Sequence, residues 1–478
     1  MKRKLGLGNL CLAAFFLIAA APAWDPAPWL DDLGQFRSAI ERDYPNLEWL
    51  VSEREVSLDR WFSRAADEIR ESGDDAGARR AMDRLVERFN DGHLALRWPR
   101  PLSRGRATPT ASVPATIATF CAARGYDAGQ VTPGTAVSIP GYRAVETGGP
   151  FPAGRVDVDE KAVGVVRLAV FSPQGYPVLC EQAVALTRTA IDRPCDEACE
   201  DRVLTEAFAL LTRALINTVE RLRAAGAEVL LVDLTRNGGG TEWSEAAARI
   251  IAPVALRSAP VHVIRGDAWV ARWRALSAKL RREAGTAPAT DRSMLLDLAR
   301  QADAVADGLK PCTRSPCART AQAGYASGLL RELPAGRLDG RPWGVDVFSA
   351  SQFPYRDHVW AGPVIVLVDS ETWSAAEQFT ALLQDNGAAI VMGTRTGGAG
   401  CGHLYGNDPV TLTHSGAKLE MPNCARLRKD GSNEVSGIIP DISTGVRWND
   451  GPSYAGRLTA GHFPEAVAKA EALRRGVR

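Results

Sequence analysis

An apolar run, Val364 to Val368, ends at Asp369-Ser370, and a helix rich in small residues opens six residues later, at Ser374. Five apolar residues without alternation read as a strand buried on both faces, which is the environment of a parallel sheet rather than of a half-exposed hairpin. The chain must then leave the strand and start a helix within a few residues. That turn presents one hydroxyl, Ser374, at the end of the strand and against a helix N-terminus, whose free N–H groups can stabilise an oxyanion. A serine before a helix is most often only an N-cap. Its neighbours in the fold decide which reading holds.

The same pattern recurs upstream. Val163 to Phe171 reads as an apolar strand and Val203 to Leu222 as a long amphipathic helix. Val229 to Leu234 is a second buried strand, followed by Asn237-Gly238-Gly239-Gly240 and a helix from Glu242 to Ile251, and Ala389 to Met392 is a strand after the Ser374 helix. Strands alternating with helices predict an α/β core with a mostly parallel sheet. The glycines allow a backbone to approach a ligand closely. They do not form a P-loop, because no Gly-Lys-Ser/Thr follows, and the GxGxxG spacing is absent.

Ahead of this core, Trp29, Leu33, Phe36 and Ile40 mark one helical face, Leu58, Phe62, Ala65 and Ile69 a second, and Ala81, Leu85 and Phe89 a third. They predict an N-terminal helical bundle over 24–98, with Gly92 suited to the position just beyond the third helix and His93 emerging after it. Residues 1–23 read as a signal peptide: Lys2-Arg3-Lys4, an apolar stretch from Cys11 to Ala20, and the small-residue site Ala21-Pro22-Ala23. Export, periplasmic or secreted, follows, with no stable membrane insertion after cleavage. The rest divides into a core over 99–450, interrupted by a helix-prone insertion at about 269–333, and a C-terminal helix over 451–478. The insertion reads as a lid near the site or as a solvated excursion.

Cleavage of such a leader removes Cys11 and leaves eight of the nine cysteines. An even number suits an oxidising compartment. Cys195 with Cys199 and Cys312 with Cys317 are close enough to pair locally, and Cys401–Cys424 with Cys121–Cys180 is then one way to complete the set. No CxxC or histidine at ligand spacing supports a metal site. A formal net charge of +1 over 478 residues gives no basic face for nucleic acid.

Two segments together carry a resemblance. DLTRNGGG (Asp233 to Gly240) and SAAEQFTALLQDNGAAIVMGTRTGG (Ser374 to Gly398) resemble the carboxyl-terminal processing, or tail-specific, serine proteases. The resemblance implies a ClpP/crotonase-like core, Ser374 as nucleophile, an oxyanion hole from the N–H of Ala375 and of Gly238 or Gly239, a peptide or protein substrate, and no cofactor. The Ser–Lys members carry a lysine 25 residues after the serine; here that residue is Ala399, and no lysine lies between Gly393 and Gly406. No PDZ module is recognisable either.

The chain is instead similar to the tricorn-like branch, which includes the interphotoreceptor retinoid-binding proteins. That branch places a histidine after the N-terminal helices and a glutamate shortly before G-[IV]-x-P-D. Asp91-Gly92-His93 and Glu434, ahead of Gly437-Ile438-Ile439-Pro440-Asp441, match those positions. The implied triad is Ser374, His93 as general base and Glu434 orienting the network. His403 is the rival base and otherwise lines the site. Trp373 stands where the family has a small residue, and Gly92 where the branch has a serine. Glu377 and Asp385 are expected to be structural. Two other functions fit the scaffold: a binding protein for apolar ligands without catalysis, and an acyl or thioester hydrolase.

Overall fold

The computed structural model describes residues 24–99, 116–312, 317–406 and 408–476; the expected signal peptide lies outside them. Three helices open the described chain: α1 (Ala27–Asp43), α2 (Leu58–Ser72) and α3 (Asp75–Phe89). Ser57 caps α2 by accepting from Arg60 N–H, and Asp74 caps α3 by accepting from Gly77 N–H at 2.6 Å. Their apolar faces meet in one core containing Trp29, Phe36, Ile40, Phe62, Ile69, Leu85 and Phe89. One expectation fails here. The left-handed residue that ends α3 is Asn90 (φ 52°), not Gly92. Asparagine tolerates this conformation because its side chain hydrogen-bonds locally, so the glycine is free for another purpose.

Seven strands form the main sheet: β1 (Arg143–Ala144), β2 (Ala153–Val158), β3 (Lys161–Arg167), β4 (Val229–Asp233), β5 (Val364–Val368), β6 (Ile390–Gly393) and β7 (Ile442–Ser443). Their order is β7-β6-β5-β4-β3-β2-β1. The segment from β3 to β7 is parallel, with Val165 beside Leu231 and Leu231 beside Ile365, while β1 and β2 add antiparallel edges. Alternate residues face opposite layers. Val166, Leu230, Val232, Val364 and Val366 pack on helices α4 (Glu197–Ala224) and α5 (Trp243–Ile251), whose Leu211, Leu215, Trp243 and Ile250 are buried there. Val163, Leu231, Ile365 and Leu367 pack on the other side against Phe463 and Val467.

The insertion contains an antiparallel helical hairpin, α6 (Asp267–Thr286) and α7 (Ala289–Gly308), sealed by Trp273, Leu280, Leu295 and Ala302. It leaves and rejoins a small sheet in which Pro260–Ile264 pairs with both Thr320–Tyr325 and Ala425–Arg426. Helix α8 (Ala375–Asp385) follows β5. The chain's last stretch is two helices, Pro452–Gly461 and α9 (Phe463–Gly476), rather than one. Pro464 lacks the N–H that would bond back across the break, and it suits the first turn of a new helix.

The bundle is tied to the core. Ala95–Arg97 pairs antiparallel with Lys418–Glu420, and buried Asp32 accepts from the N–H groups of His414 and Ser415 at 2.9 Å each. These contacts fix where the segment after α3 enters the core. The four cysteine pairs are Cys121–Cys180, Cys195–Cys199, Cys312–Cys317 and Cys401–Cys424.

Candidate active site

The turn between β5 and α8 is strained. Ser374 sits at φ 54°, ψ −117°, outside the ordinary regions for a residue with a side chain. Such a conformation costs about 1–3 kcal/mol and persists only where the surroundings hold it. Here Trp373 N–H donates to Asn237 O at 2.9 Å, Thr372 Oγ1 donates to Leu234 O at 3.0 Å, and Ser374 N–H donates to Glu377 Oε2 at 3.0 Å.

The glycine loop lies against this turn. A Cβ on Gly239 (φ 107°) would stand 2.8 Å from Ser374 Cβ and 3.0 Å from Ala375 N, so only glycine fits. Buried Asn237 shapes the loop from within, accepting from Gly239 N–H at 2.8 Å and donating to Leu168 O at 2.8 Å. That contact occupies Gly239 N–H. Of the N–H groups expected to form an oxyanion hole, those of Gly238 and Ala375 keep no acceptor among the described residues.

His93 reaches Ser374 across 281 residues of chain: Nε2 lies 3.1 Å from Ser374 Oγ. Its Nδ1 lies 2.7 Å from the carbonyl oxygen of Ala399. A carbonyl can only accept, so Nδ1 carries the proton and Nε2 is left as an acceptor for the serine hydroxyl. The backbone of His93 is held as well. Its N–H donates to Asp91 Oδ1 at 2.9 Å, while Asp91 Oδ2 accepts from Tyr44 Oη and Asn46 Nδ2. Burial pushes the Asp91 carboxyl up from its ordinary range.

Glu434 takes a different place from an imidazole partner. It is buried in an ion pair with Arg426, whose Nε donates to Oε2 at 2.6 Å. Arg426 also donates to Gly400 O at 3.0 Å and to Gln378 Oε1 at 3.1 Å. Glu434 therefore meets the chain segment next to Ala399 through the guanidinium, which is buried and held charged by its carboxylate partner.

The remaining candidates border these groups. The His403 ring lies edge-on to His93, with centroids 5.9 Å apart, and burial together with His93 lowers its pKa. It makes no hydrogen bond to Ser374. Trp373 lies over Gly92 and Gly397, its Nε1 donating to Ser370 O at 2.8 Å. Beyond His403, Leu404 and Tyr405 lead into a cleft of about 540 Å³, also lined by Asp43, Trp269, Arg272 and Met421. Arg272 from α6 stacks 3.5 Å over the Tyr405 ring, so the insertion borders the cleft. Asp385 pairs with Arg428, a structural role as expected. Among the described residues no three His, Cys, Asp or Glu side chains are grouped to hold a metal, and no helix is long and apolar enough to cross a membrane.

Sequence reasoning missed three contributors. The Ala399 carbonyl is a backbone group, Arg426 lies outside both segments that carry the resemblance, and Asn237 in sequence is only the start of a glycine turn. For Asn237 a signal existed, since asparagine ahead of glycines is a turn-shaping residue.

Comparison with known proteins gives the following. The family model described as "Peptidase family S41" matches residues 204–444. A Chlamydia pneumoniae protein, "Protein//CPj1016/CpB1054", is 34% identical over 100 residues, which are 20% of this chain and 16% of that protein. The match thus spans under one fifth of that relative's length. Among solved structures, mature CPAF aligns with a TM-score of 0.61 at 14% identity, covering 94% of this chain and 98% of that one. Mature CPAF complexed with lactacystin aligns with a TM-score of 0.58 at 15% identity, covering 94% and 99%. At these identities the likeness is one of fold.

Proposed function

The chain belongs to peptidase family S41, a family of serine-type peptidases, and on that premise we propose that it hydrolyses peptide bonds with Ser374 as nucleophile and His93 as general base. The observation that carries this reading is the 3.1 Å approach of His93 Nε2 to Ser374 Oγ, with Nδ1 engaged by a carbonyl. That pairing is the geometry a general base requires.

In the first step Ser374 Oγ attacks the substrate carbonyl while its proton passes to His93 Nε2. The oxyanion is received by Gly238 N–H and Ala375 N–H, at the positive end of α8. The Ala399 carbonyl, already on Nδ1–H, stabilises the imidazolium and keeps the ring in register. His93 then protonates the leaving amine, and water enters to release the acyl-enzyme by the reverse proton path. Glu434 serves this network at one remove: it holds Arg426, which holds Gly400, the residue after Ala399. A histidine against the serine hydroxyl, and alanine where the Ser–Lys members carry lysine, favour the tricorn-like branch.

Export belongs to the same reading. Four cysteine pairs suit an oxidising compartment, and the leader-like 1–23 segment points the same way. The substrate is a peptide or protein. The experiment that tests the proposal is labelling with a fluorophosphonate probe, followed by digestion of a peptide library with Ser374→Ala as control. Labelling at Ser374 and peptide cleavage lost in the control are expected. Folded protein that neither labels nor cleaves would overturn the reading, and turnover of thioesters but not amides would replace it.

A further inference from the structure

We propose that Glu377 is a positioning residue that fixes the nucleophile and the base of this site to one carboxylate, an inference that rests on the Ser374–His93 reading above. Glu377 sits in the first turn of α8, wholly buried. Its Oε2 accepts from Ser374 N–H at 3.0 Å and from Ala399 N–H at 2.8 Å. Its Oε1 accepts from Gly398 N–H at 2.8 Å and from Thr396 Oγ1 at 2.5 Å. The Thr396 hydroxyl oxygen accepts from Ile438 N–H at 2.6 Å, so its hydrogen is committed to Glu377.

Ser374 is thereby held in its left-handed turn by the group that also holds Ala399. The carbonyl of Ala399 is the acceptor for His93 Nδ1. The peptide on its N-terminal side hangs on Glu377, and the carbonyl of Gly400 beyond it hangs on Arg426. One carboxylate therefore sets the distance between the serine and the imidazole's support. A capping role alone would need only the Ser374 contact; the three donors from Thr396 to Ala399 go beyond it.

Only a carboxylate satisfies this set. All four neighbours donate to it, so an amide would turn its NH₂ against the N–H of Gly398 in one orientation and against those of Ser374 and Ala399 in the other. Burial and the facing Glu434 push the Glu377 carboxyl up to about 7, against the pull of its hydrogen-bond donors. The charged groups facing it are Glu434 and Arg426. Protonation near neutrality would remove an acceptor from the network, so activity requires the ionised form.

The test is steady-state kinetics on a peptide substrate across pH, with thermal melting of each variant. Glu377→Gln is expected to lower kcat roughly 10- to 100-fold, the scale of a small misplacement of reacting groups, with KM within about twofold. Thr396→Val removes one donor to the carboxylate, which favours its protonation, so the acidic limb of kcat/KM should move to higher pH. In the Glu377→Gln background the same threonine change should leave the limb where it is. A folded Glu377→Gln with unchanged kcat, or a Thr396→Val limb that does not move, overturns the inference. If Glu377→Gln does not fold, the Thr396→Val profile decides alone. The underlying reading fails separately: hydrolysis that survives Ser374→Ala or His93→Ala would overturn both, whereas loss in those two with full activity in Glu377→Gln overturns this inference only.

Discussion

Gly92 and Trp373 share one volume: a Cβ built on Gly92 would lie 2.6 Å from Cε3 of the Trp373 ring and 2.9 Å from Ala399 Cβ. The glycine before the histidine and the tryptophan before the serine, each a departure from the pattern the resemblance implies, are thus sterically linked. The indole fills the space that a side chain at 92 would take.

This predicts a reciprocal pair. Gly92→Ser forces the ring or the Ala399 segment to move, at a cost of about 1–3 kcal/mol for overpacking. Trp373→Ala opens the space, so Gly92→Ser in that background should cost far less. Chemical denaturation of the two single variants and the double variant measures the coupling, expected to exceed about 0.5 kcal/mol in magnitude. Strict additivity would mean that the two residues do not compete.

The two histidines should separate by activity. His93→Ala removes the only imidazole within hydrogen-bond reach of Ser374 among the described residues, and a fall in kcat on the order of 10⁴ or more is expected, as for loss of a triad member. His403→Ala removes a neighbour that makes no bond to the serine, so its loss should be smaller by at least an order of magnitude. Kinetics of both variants on one peptide decide the matter. A more damaging His403→Ala would reverse the assignment of the base.

What could be read in advance divides along physical lines. The strands at Val229 and Val364 are legible as unbroken apolar runs, and the helical faces around Phe36 and Leu85 because one-sided burial imposes a period on the sequence. Ser374 is legible because a strand-to-helix turn has length and composition. His93 is not, without a family pattern, because nothing local distinguishes a loop histidine near Asp91 from one that meets a serine 281 residues away. The Ala399 carbonyl leaves no mark at all: any residue supplies one. Gly92 misled for a related reason, since glycine is used both for left-handed φ and for close approach, and only the neighbouring Trp373 tells which. The terminal helix is legible from Phe463 onward, and what goes unread is the separate helix before it, Pro452–Gly461.

Arg426 and Glu434 offer a test that separates stability from catalysis. Their side chains are 5% and 0% exposed, so removing one charge leaves the other buried. Arg426→Met should destabilise the fold by about 3–5 kcal/mol, the usual cost of breaking a buried pair. Glu434→Gln keeps the shape and part of the hydrogen bonding, so it should cost less stability but still lower kcat by loosening Gly400 beside Ala399. Denaturation and kinetics on the same preparations are the measurements. A Glu434→Gln enzyme with unchanged kcat would leave the glutamate a structural residue only.

The Cys401–Cys424 pair closes the loop that covers His93. A Cβ on Gly402 would stand 2.8 Å from His93 Nε2, and Asn423 clamps the same loop by accepting from Leu404 N–H and donating to Leu404 O and Gly406 O. With a sequence separation of 23, the loop-closure model gives about 3 kcal/mol of stabilisation from this bridge. The cost of losing it should fall unevenly. The loop covers the imidazole and leads into the cleft at Tyr405, whereas the Cys195–Cys199 bridge lies at the start of α4 and lines no part of that cleft. A Cys401→Ser/Cys424→Ser double variant should therefore lose both thermal stability and kcat, and Cys195→Ser/Cys199→Ser should keep its kcat. Melting curves with kinetics at a temperature where all three proteins are folded check this. Equal activity in the two variants would show that the loop keeps its place over His93 by the Asn423 contacts alone.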